Sequence, residues 1–401
     1  MKRADAMAAR PQLAVATSFA FGSVHDSSTH ARGRQLDHCG FVKWCHSASL
    51  FAKLPFFANI GGAEVVVLTD AISAAREECA ASGARYMLYD PALKREVAAW
   101  APERRRTKRM PDSDFSTRAL LKWQLVGLLE YSYVFYTDID TDLFFDTAGA
   151  PPPRGSRHWG ILERAWTTRF DAFKAGGDEL IASQDAHSPI NTGVMLLKPS
   201  ASTYELGRQA LRSGRFNLRR GWNFTGPPQR VLPLQSLQAP FGCVGSPLFR
   251  GRTLTCAEWA QDELNHTVMV RENEWDFVGG DADQGLFTYI YLVVLRGRSF
   301  RLTWKLDSRL QCCGEYQLRH FWGRSKPWVA GATGPHFCAK YFDFVDHASF
   351  AHPPTKCLAA VRRSRESPET LPAKSNGRPR SRSVSAATRQ PCKFSANARV
   401  L

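Results

Sequence analysis

Asp138 and Asp140 stand two residues apart at the end of the run Tyr133-Val-Phe-Tyr-Thr-Asp-Ile-Asp-Thr-Asp-Leu-Phe-Phe145. In an extended chain both carboxylates point to one face. Two such acids at the C-terminal end of a buried strand can share one hard cation. Open α/β sheets bind ligands at that edge. The stretch therefore predicts a metal-held phosphate ligand.

Other residues could complete that chemistry. His320 and Lys326 lie in His320-Phe-Trp-Gly-Arg-Ser-Lys-Pro-Trp328, Asn191 and Gly193 in Ile190-Asn-Thr-Gly-Val194, and Asp283 and Gln284 in the Gly-rich run Asp276 to Tyr291. Each has an ordinary reading when taken alone: a structural histidine, a solvated lysine, a turn, a helix N-cap pair. Taken together they suit a diphosphate leaving group. A divalent cation neutralises the charge that builds on such a group as its bond to a sugar breaks. Two carboxylates and an imidazole suit manganese better than magnesium, which prefers oxygen. A lysine adds a point charge on the same oxygens.

The elements that must position these groups follow from the pattern. Leu13 to Phe21 reads as a first strand, and polar Gly22 to Gly40 as a loop. Phe41 to Phe57 reads as a helix stopped near Pro55, and Ala63 to Thr69 as a β-branched strand. Asp70 reads as the N-cap of a helix over Ala71 to Ser82 that ends at Gly83, and Ala84 to Tyr89 as a third strand. This β-α-β rhythm predicts a mostly parallel, doubly wound sheet flanked by helices. Beyond it, Ser116 or Thr117 can cap a helix reaching Glu130, with Leu120, Trp123 and Leu128 at helical spacing. His158 to Leu162 reads as a short strand, and Ile190 to Pro199 as a buried one. Ser200 or Ser202 caps a helix to Arg212, and Phe300 to Lys305 is a strand. Residues 213–270 read as a loop-like insertion over the acceptor side of a domain spanning 11–345.

Composition narrows the partners. The 401 residues carry a net charge of +16, and the segment 361–401, with ten Lys/Arg and two acids, holds half of it. That tail reads as basic and disordered. A basic chain suits anionic partners. It shows no zinc-knuckle, RNA-recognition or helix-turn-helix pattern, so no specific nucleic-acid binding is expected. No run of 18 apolar residues predicts a membrane span, and Met1 to Gln12 lacks the apolar core of a signal peptide. The ten cysteines include no CxxC pair, which argues against zinc and leaves disulfides open. Asn223-Phe-Thr225 and Asn265-His-Thr267 are formal N-glycosylation sites. They suit a secretory lumen if an anchor is missing from the sequence, and the bare N-terminus suits the cytoplasm.

Four motifs, in order, carry a family resemblance: Lys122 in LLKWQL, the D-x-D run YTDID, INTGVMLLKPS, and DADQGL followed by HFWGRSKPW. The chain resembles glycosyltransferase family 8, the glycogenin-like retaining transferases, from Leu13 to Trp328. The resemblance implies a Rossmann-like GT-A fold and a metal-dependent hexosyltransferase. The enzyme would move a sugar from a UDP-sugar to a glycan, polyol or protein acceptor, with retention of configuration; a homodimer is left open. It also implies site roles. Asp138, Asp140 and His320 would hold Mn2+ or another divalent cation, and Gly323 and Lys326 the diphosphate. Lys122 would approach the donor sugar or phosphate. Asn191, Gly193, Asp283 and Gln284 would line the sugar pocket, with Lys122, Asp283 and Gln284 closest to the chemistry. Ile139 and Thr17 would lie against the nucleoside, and Glu163 against the donor sugar. Asp142 reads as a solvated turn acid. Self-glycosylation at a tyrosine such as Tyr204 is a minority reading.

Two other functions compete. One is a catalytically inactive module of the same fold that binds a glycan or nucleotide. The other, compatible with either, is polyanion binding through the basic tail.

Overall fold

The computed structural model describes residues 11–21, 28–79, 83–100, 118–144, 151–185, 188–225, 248–249, 252–253, 275, 279–295, 300–302 and 319–320. Their strands are β1 (Leu13–Phe19), β2 (Ala63–Thr69), β3 (Arg85–Leu88), β4 (Tyr133–Thr137), β5 (Thr141–Asp142), β6 (Leu180–Asp185), β7 (Ser188–Leu197), β8 (Phe216–Asn217), β9 (Gly221–Trp222), β10 (Leu248–Phe249), β11 (Arg252–Thr253), β12 (Phe300–Leu302) and β13 (Arg319–His320). The α-helices are α1 (Ser28–Ala52), α2 (Ile72–Cys79), α3 (Pro91–Trp100), α4 (Arg157–Ala175), α5 (Ala201–Ser213) and α6 (Asp283–Thr288).

Seven strands form one mixed sheet in the order β12-β6-β7-β4-β1-β2-β3. The pairs β1–β2, β1–β4, β2–β3 and β6–β12 are parallel, and only β7 runs against its neighbours β4 and β6. The fold is thus α/β with a mostly parallel central sheet flanked by helices, as the β-α-β rhythm predicts. The strands are apolar on both faces because both faces are covered. Alternate residues of β1 show it: Ala14 and Ala16 pack into one cluster, Leu13 and Val15 into the other.

On one face lie α1, α2 and α4. Phe41, Trp44, Cys45, Ala48 and Phe51 recur at helical spacing along α1 and are buried. A disulfide between Cys45 and Cys79 ties α1 to α2. On α4, Leu162, Trp166, Phe170 and Phe173 pack on the cluster that holds Phe57 and Phe135. On the other face lie α3, α5, α6 and a 3-10 helix over Leu121–Gly127. Ser200 caps α5 by accepting from the Thr203 amide, and Gly214 closes it with φ 62°.

Four local expectations are corrected. Residues 28–40 belong to α1 and are no loop, so that helix starts well before Phe41. His158 to Leu162 is part of α4 and no strand: its apolar run continues at helical spacing for another three turns. The element carrying Lys122 reaches only Gly127 and is a 3-10 helix from Leu121. Finally, β4 stops at Thr137, and the Thr141 amide closes a turn onto the Asp138 carbonyl at 3.1 Å. Asp138 and Asp140 therefore occupy a turn and are not alternate residues of a strand. In the insertion, β8–β9 and β10–β11 are short antiparallel ladders. The basic tail and the Asn265 sequon lie outside the described residues.

Candidate active site

Lys122 is the centre of a partly buried ionic cluster. Its Nζ lies 2.8 Å from Asp138 Oδ1 and 3.0 Å from Asp283 Oδ2. Those same two oxygens accept two hydroxyls: Tyr136 donates to Asp138 Oδ1 at 2.5 Å, and Thr192 donates to Asp283 Oδ2 at 2.6 Å. The Tyr136 ring also lies 5.3 Å from the lysine nitrogen. Four separated segments meet here: the Leu121–Gly127 turn, the end of β4, β7 and the start of α6.

Local sequence explains each placement. Tyr136 and Asp138 are two apart across the end of β4, so they share a face. Lys122 projects from a turn locked by its neighbour Trp123, whose indole donates to the Tyr204 carbonyl of α5 at 2.9 Å. A Cβ at Gly207 of α5 would fall 2.0 Å from that indole, so only glycine lets the two elements approach. β7 is joined to the acidic turn through the backbone, with the Asp138 amide donating to the Gly193 carbonyl at 2.8 Å. Asn191, buried in β7, accepts from the Gly193 amide through Oδ1 at 2.7 Å.

The run before α6 is equally tight. Gly279 has φ 71°, and its carbonyl accepts from the amides of Ala282 and Gly285 at 2.9 and 2.8 Å. Gln284, the residue after Asp283, has its Oε1 buried with no hydrogen-bond partner among the described residues. The insertion supports this run: Trp222 donates its indole N–H to the Gly280 carbonyl at 2.9 Å. Asn223, with φ 52°, donates through Nδ2 to the Tyr289 hydroxyl at 3.0 Å and shares a hydrogen bond with Ser213.

Electrostatics follow from burial and pairing. Burial pushes the Lys122 ammonium down, but the carboxylates of Asp138 and Asp283 outweigh it and hold its pKa above the ordinary lysine value. Burial pushes the Asp283 carboxyl up, and Lys122 and Thr192 overcome it, so its pKa lies below the ordinary value. Burial and the neighbouring Asp138 hold the Tyr136 phenol well above its usual range. Lys122 is thus an ammonium and Asp283 a carboxylate at neutral pH, with the Tyr136 phenol protonated as a donor.

The remaining predicted residues divide. Asp140 is buried in the turn, 7% exposed, and Ile139 packs partly against the core beneath. Thr17 is fully buried and donates through Oγ1 to the Thr137 carbonyl at 2.8 Å, bracing β1 against β4 beside the acids. β13 pairs with β5 so that His320 stands opposite Thr141, next to Asp140 in the chain. The His320 side chain, Gly323 and Lys326 lie outside the described residues. Among the described side chains, no three His, Cys, Asp or Glu residues converge on one point. Glu163 is an exposed residue of α4 and shares none of the contacts of this cluster. Tyr136 and Thr192 were not singled out by sequence. Tyr136 carried a signal in its two-residue spacing from Asp138, whereas the Thr192 partner is 91 residues away.

No protein-family model matches the chain, and no curated protein matches it. Among solved structures it superposes on mouse xyloside xylosyltransferase 1 at 13% identity and TM-score 0.37, over 76% of this chain and 96% of that one. It also superposes on the glycosyltransferase GlyE of Streptococcus pneumoniae at 12% identity and TM-score 0.32, over 88% of this chain and 63% of that one. At this overlap, the functional reading rests on the residues of the site.

Proposed function

We propose that the protein is a metal-dependent glycosyltransferase that moves a hexosyl group from a UDP-sugar to a hydroxyl acceptor with retention of configuration. The observation that supports this most is the Lys122 cluster. It gathers the D-x-D turn, the INTGV strand and the DADQG helix at one end of the sheet. That is the edge where open α/β sheets take ligands.

The donor set fits a divalent cation. Asp138 and Asp140 lie in one turn, and the β5–β13 register brings His320 beside it. Two carboxylates and an imidazole suit manganese. When bound there, the cation supplies Lewis-acid charge to the diphosphate oxygens. The chain's own residues do the rest. Lys122 keeps a fixed positive charge at the site, and Asp283 keeps a negative one. The Gln284 amide oxygen can face a sugar carbon that becomes electron-poor. The bond between the anomeric carbon and the terminal phosphate oxygen breaks, the acceptor oxygen bonds that carbon, and its proton leaves on the UDP. Gly323 and Lys326 belong to the diphosphate side in this reading, and residues 213–270 to the acceptor side. The Cys45–Cys79 disulfide and the two sequons fit an oxidising secretory lumen.

The test is UDP release from a panel of UDP-sugars with manganese, for the wild type and for Asp138→Asn and Asp140→Asn. Manganese-dependent release that falls at least about a hundredfold in both variants supports the reading, since each change removes a ligand of the cation whose charge would stabilise the leaving group. Unchanged activity in the variants would sink the metal assignment. Donor binding with no turnover in the wild type would favour an inactive binding module.

A further inference from the structure

We infer that the hydroxyls of Tyr136 and Thr192 are positioning groups that hold Lys122 at a fixed point between Asp138 and Asp283. This deepens the transferase reading and rests on it for its catalytic consequence.

The arrangement has a simple symmetry. Each carboxylate offers one oxygen to both the lysine and a hydroxyl: Asp138 Oδ1 to Lys122 and Tyr136, Asp283 Oδ2 to Lys122 and Thr192. A lysine is a point charge on a four-carbon stem with rotatable bonds, so its own geometry fixes little. A carboxylate can likewise turn about its last torsion, and each added donor narrows that turn; Asp283 also accepts from the Gln284 backbone amide. The hydroxyls remove that freedom. Tyr136 is rigidly mounted, with its ring buried in β4, and Thr192 is buried in β7 with one strongly preferred set of rotamers. Both strands are sheet interior, whereas Lys122 and Asp283 come from a 3-10 turn and the first position of a short helix. The sheet thus dictates where two groups from less regular elements meet.

The arrangement also sets which atom does what. A neutral hydroxyl donates without adding charge, so the cluster keeps one positive and two negative groups. Replacing either hydroxyl by an apolar group of the same shape leaves packing and charge intact while taking one hydrogen bond from one carboxylate. Position is the property that such a change alters.

The experiment compares Tyr136→Phe, Thr192→Val and Thr192→Ser, each also in a Lys122→Met background. Two readouts are taken. The first is the rate at which an amine-acylating reagent labels Lys122, followed by peptide mass spectrometry, which needs no activity. Labelling should rise several-fold in Tyr136→Phe and Thr192→Val and return to the wild-type rate in Thr192→Ser. The second is donor turnover. kcat should fall about tenfold in the first two variants, the lower end of what a lost supporting contact costs, with a smaller change in KM. Thr192→Ser should restore it. In the Lys122→Met background both substitutions should cost less than twofold. Wild-type labelling in both Tyr136→Phe and Thr192→Val overturns the inference, whatever the enzyme does. Raised labelling with undiminished kcat overturns its catalytic part. If the wild type turns over no donor, the transferase reading fails, and the labelling rates still decide whether the hydroxyls position Lys122.

Discussion

Trp44 donates its indole N–H to the Thr137 hydroxyl at 2.6 Å, so α1 reaches through one face of the sheet to the residue just before Asp138. Thr137 is also held from β1, through its carbonyl and the Thr17 hydroxyl at 2.8 Å. The acidic turn therefore starts from a residue fixed by two neighbouring elements. Thr137→Val keeps the side-chain shape and removes the acceptor of the buried indole N–H. It should destabilise the fold by about 1–3 kcal/mol, the cost of losing a partner in a buried hydrogen bond. Urea denaturation checks this, and a midpoint equal to that of the wild type would refute it.

Gly285→Ala should be far more damaging than most helix substitutions to alanine. A Cβ there would sit 1.7 Å from the Gly280 carbonyl oxygen, which is backbone and cannot swing aside. The Gly-rich turn must then shift, and with it Asp283 and Gln284. A loss of about 1–3 kcal/mol is expected from overpacking, against the gain that alanine gives at an unconstrained helical glycine. Thermal unfolding measures the first effect, and UDP release measures the displacement of the site.

The Cys45–Cys79 bridge closes a loop with a sequence separation of 34. On chain-entropy grounds such a loop contributes about 3–4 kcal/mol. The double change Cys45→Ala, Cys79→Ala should lower the unfolding midpoint by a corresponding amount. Added reductant should have no further effect on that variant's midpoint if this bridge carries the wild type's whole response.

Stability should weaken in mild acid through His46. Burial, with Lys53 second, holds its pKa below the ordinary 6.5. In the window between the lowered folded value and 6.5, the unfolded chain binds more protons at this site than the folded one. The contribution is complete above pH 6.5 and is lost as pH falls through the folded value. Between pH 8 and pH 5 the midpoint of His46→Gln should therefore fall less than that of the wild type. Parallel pH profiles would remove His46 from the account.

Much of this was legible in the sequence because it depends on local rules. The β-branched run Ala63 to Thr69, the cap at Ser200 and the glycine at 83, with φ 67°, each announce their structure within a few residues. The spacing of Asp138 and Asp140 drew attention to the turn whose first acid pairs with Lys122. Other features were decided at a distance. His158 to Leu162 is a short apolar run that fits strand or helix, and only Trp166, Phe170 and Phe173, buried below Phe57 and Phe135, decide for helix. The polar character of residues 28–40 hid the first turns of α1. The role of Thr192 depends on Asp283, which no window on the sequence connects to it.

The antiparallel placement of β7 has a consequence for how the protein could change. Because β7 is bonded directly to the end of β4, the Asp138 amide and the Gly193 carbonyl join the two motifs through main-chain atoms. Such a link is indifferent to side-chain identity. Side chains of the seam, buried as they are, set the packing around this bond and not the bond itself. The distance between the two motifs is therefore written into atoms that every residue carries, and it outlasts changes in the side chains around it.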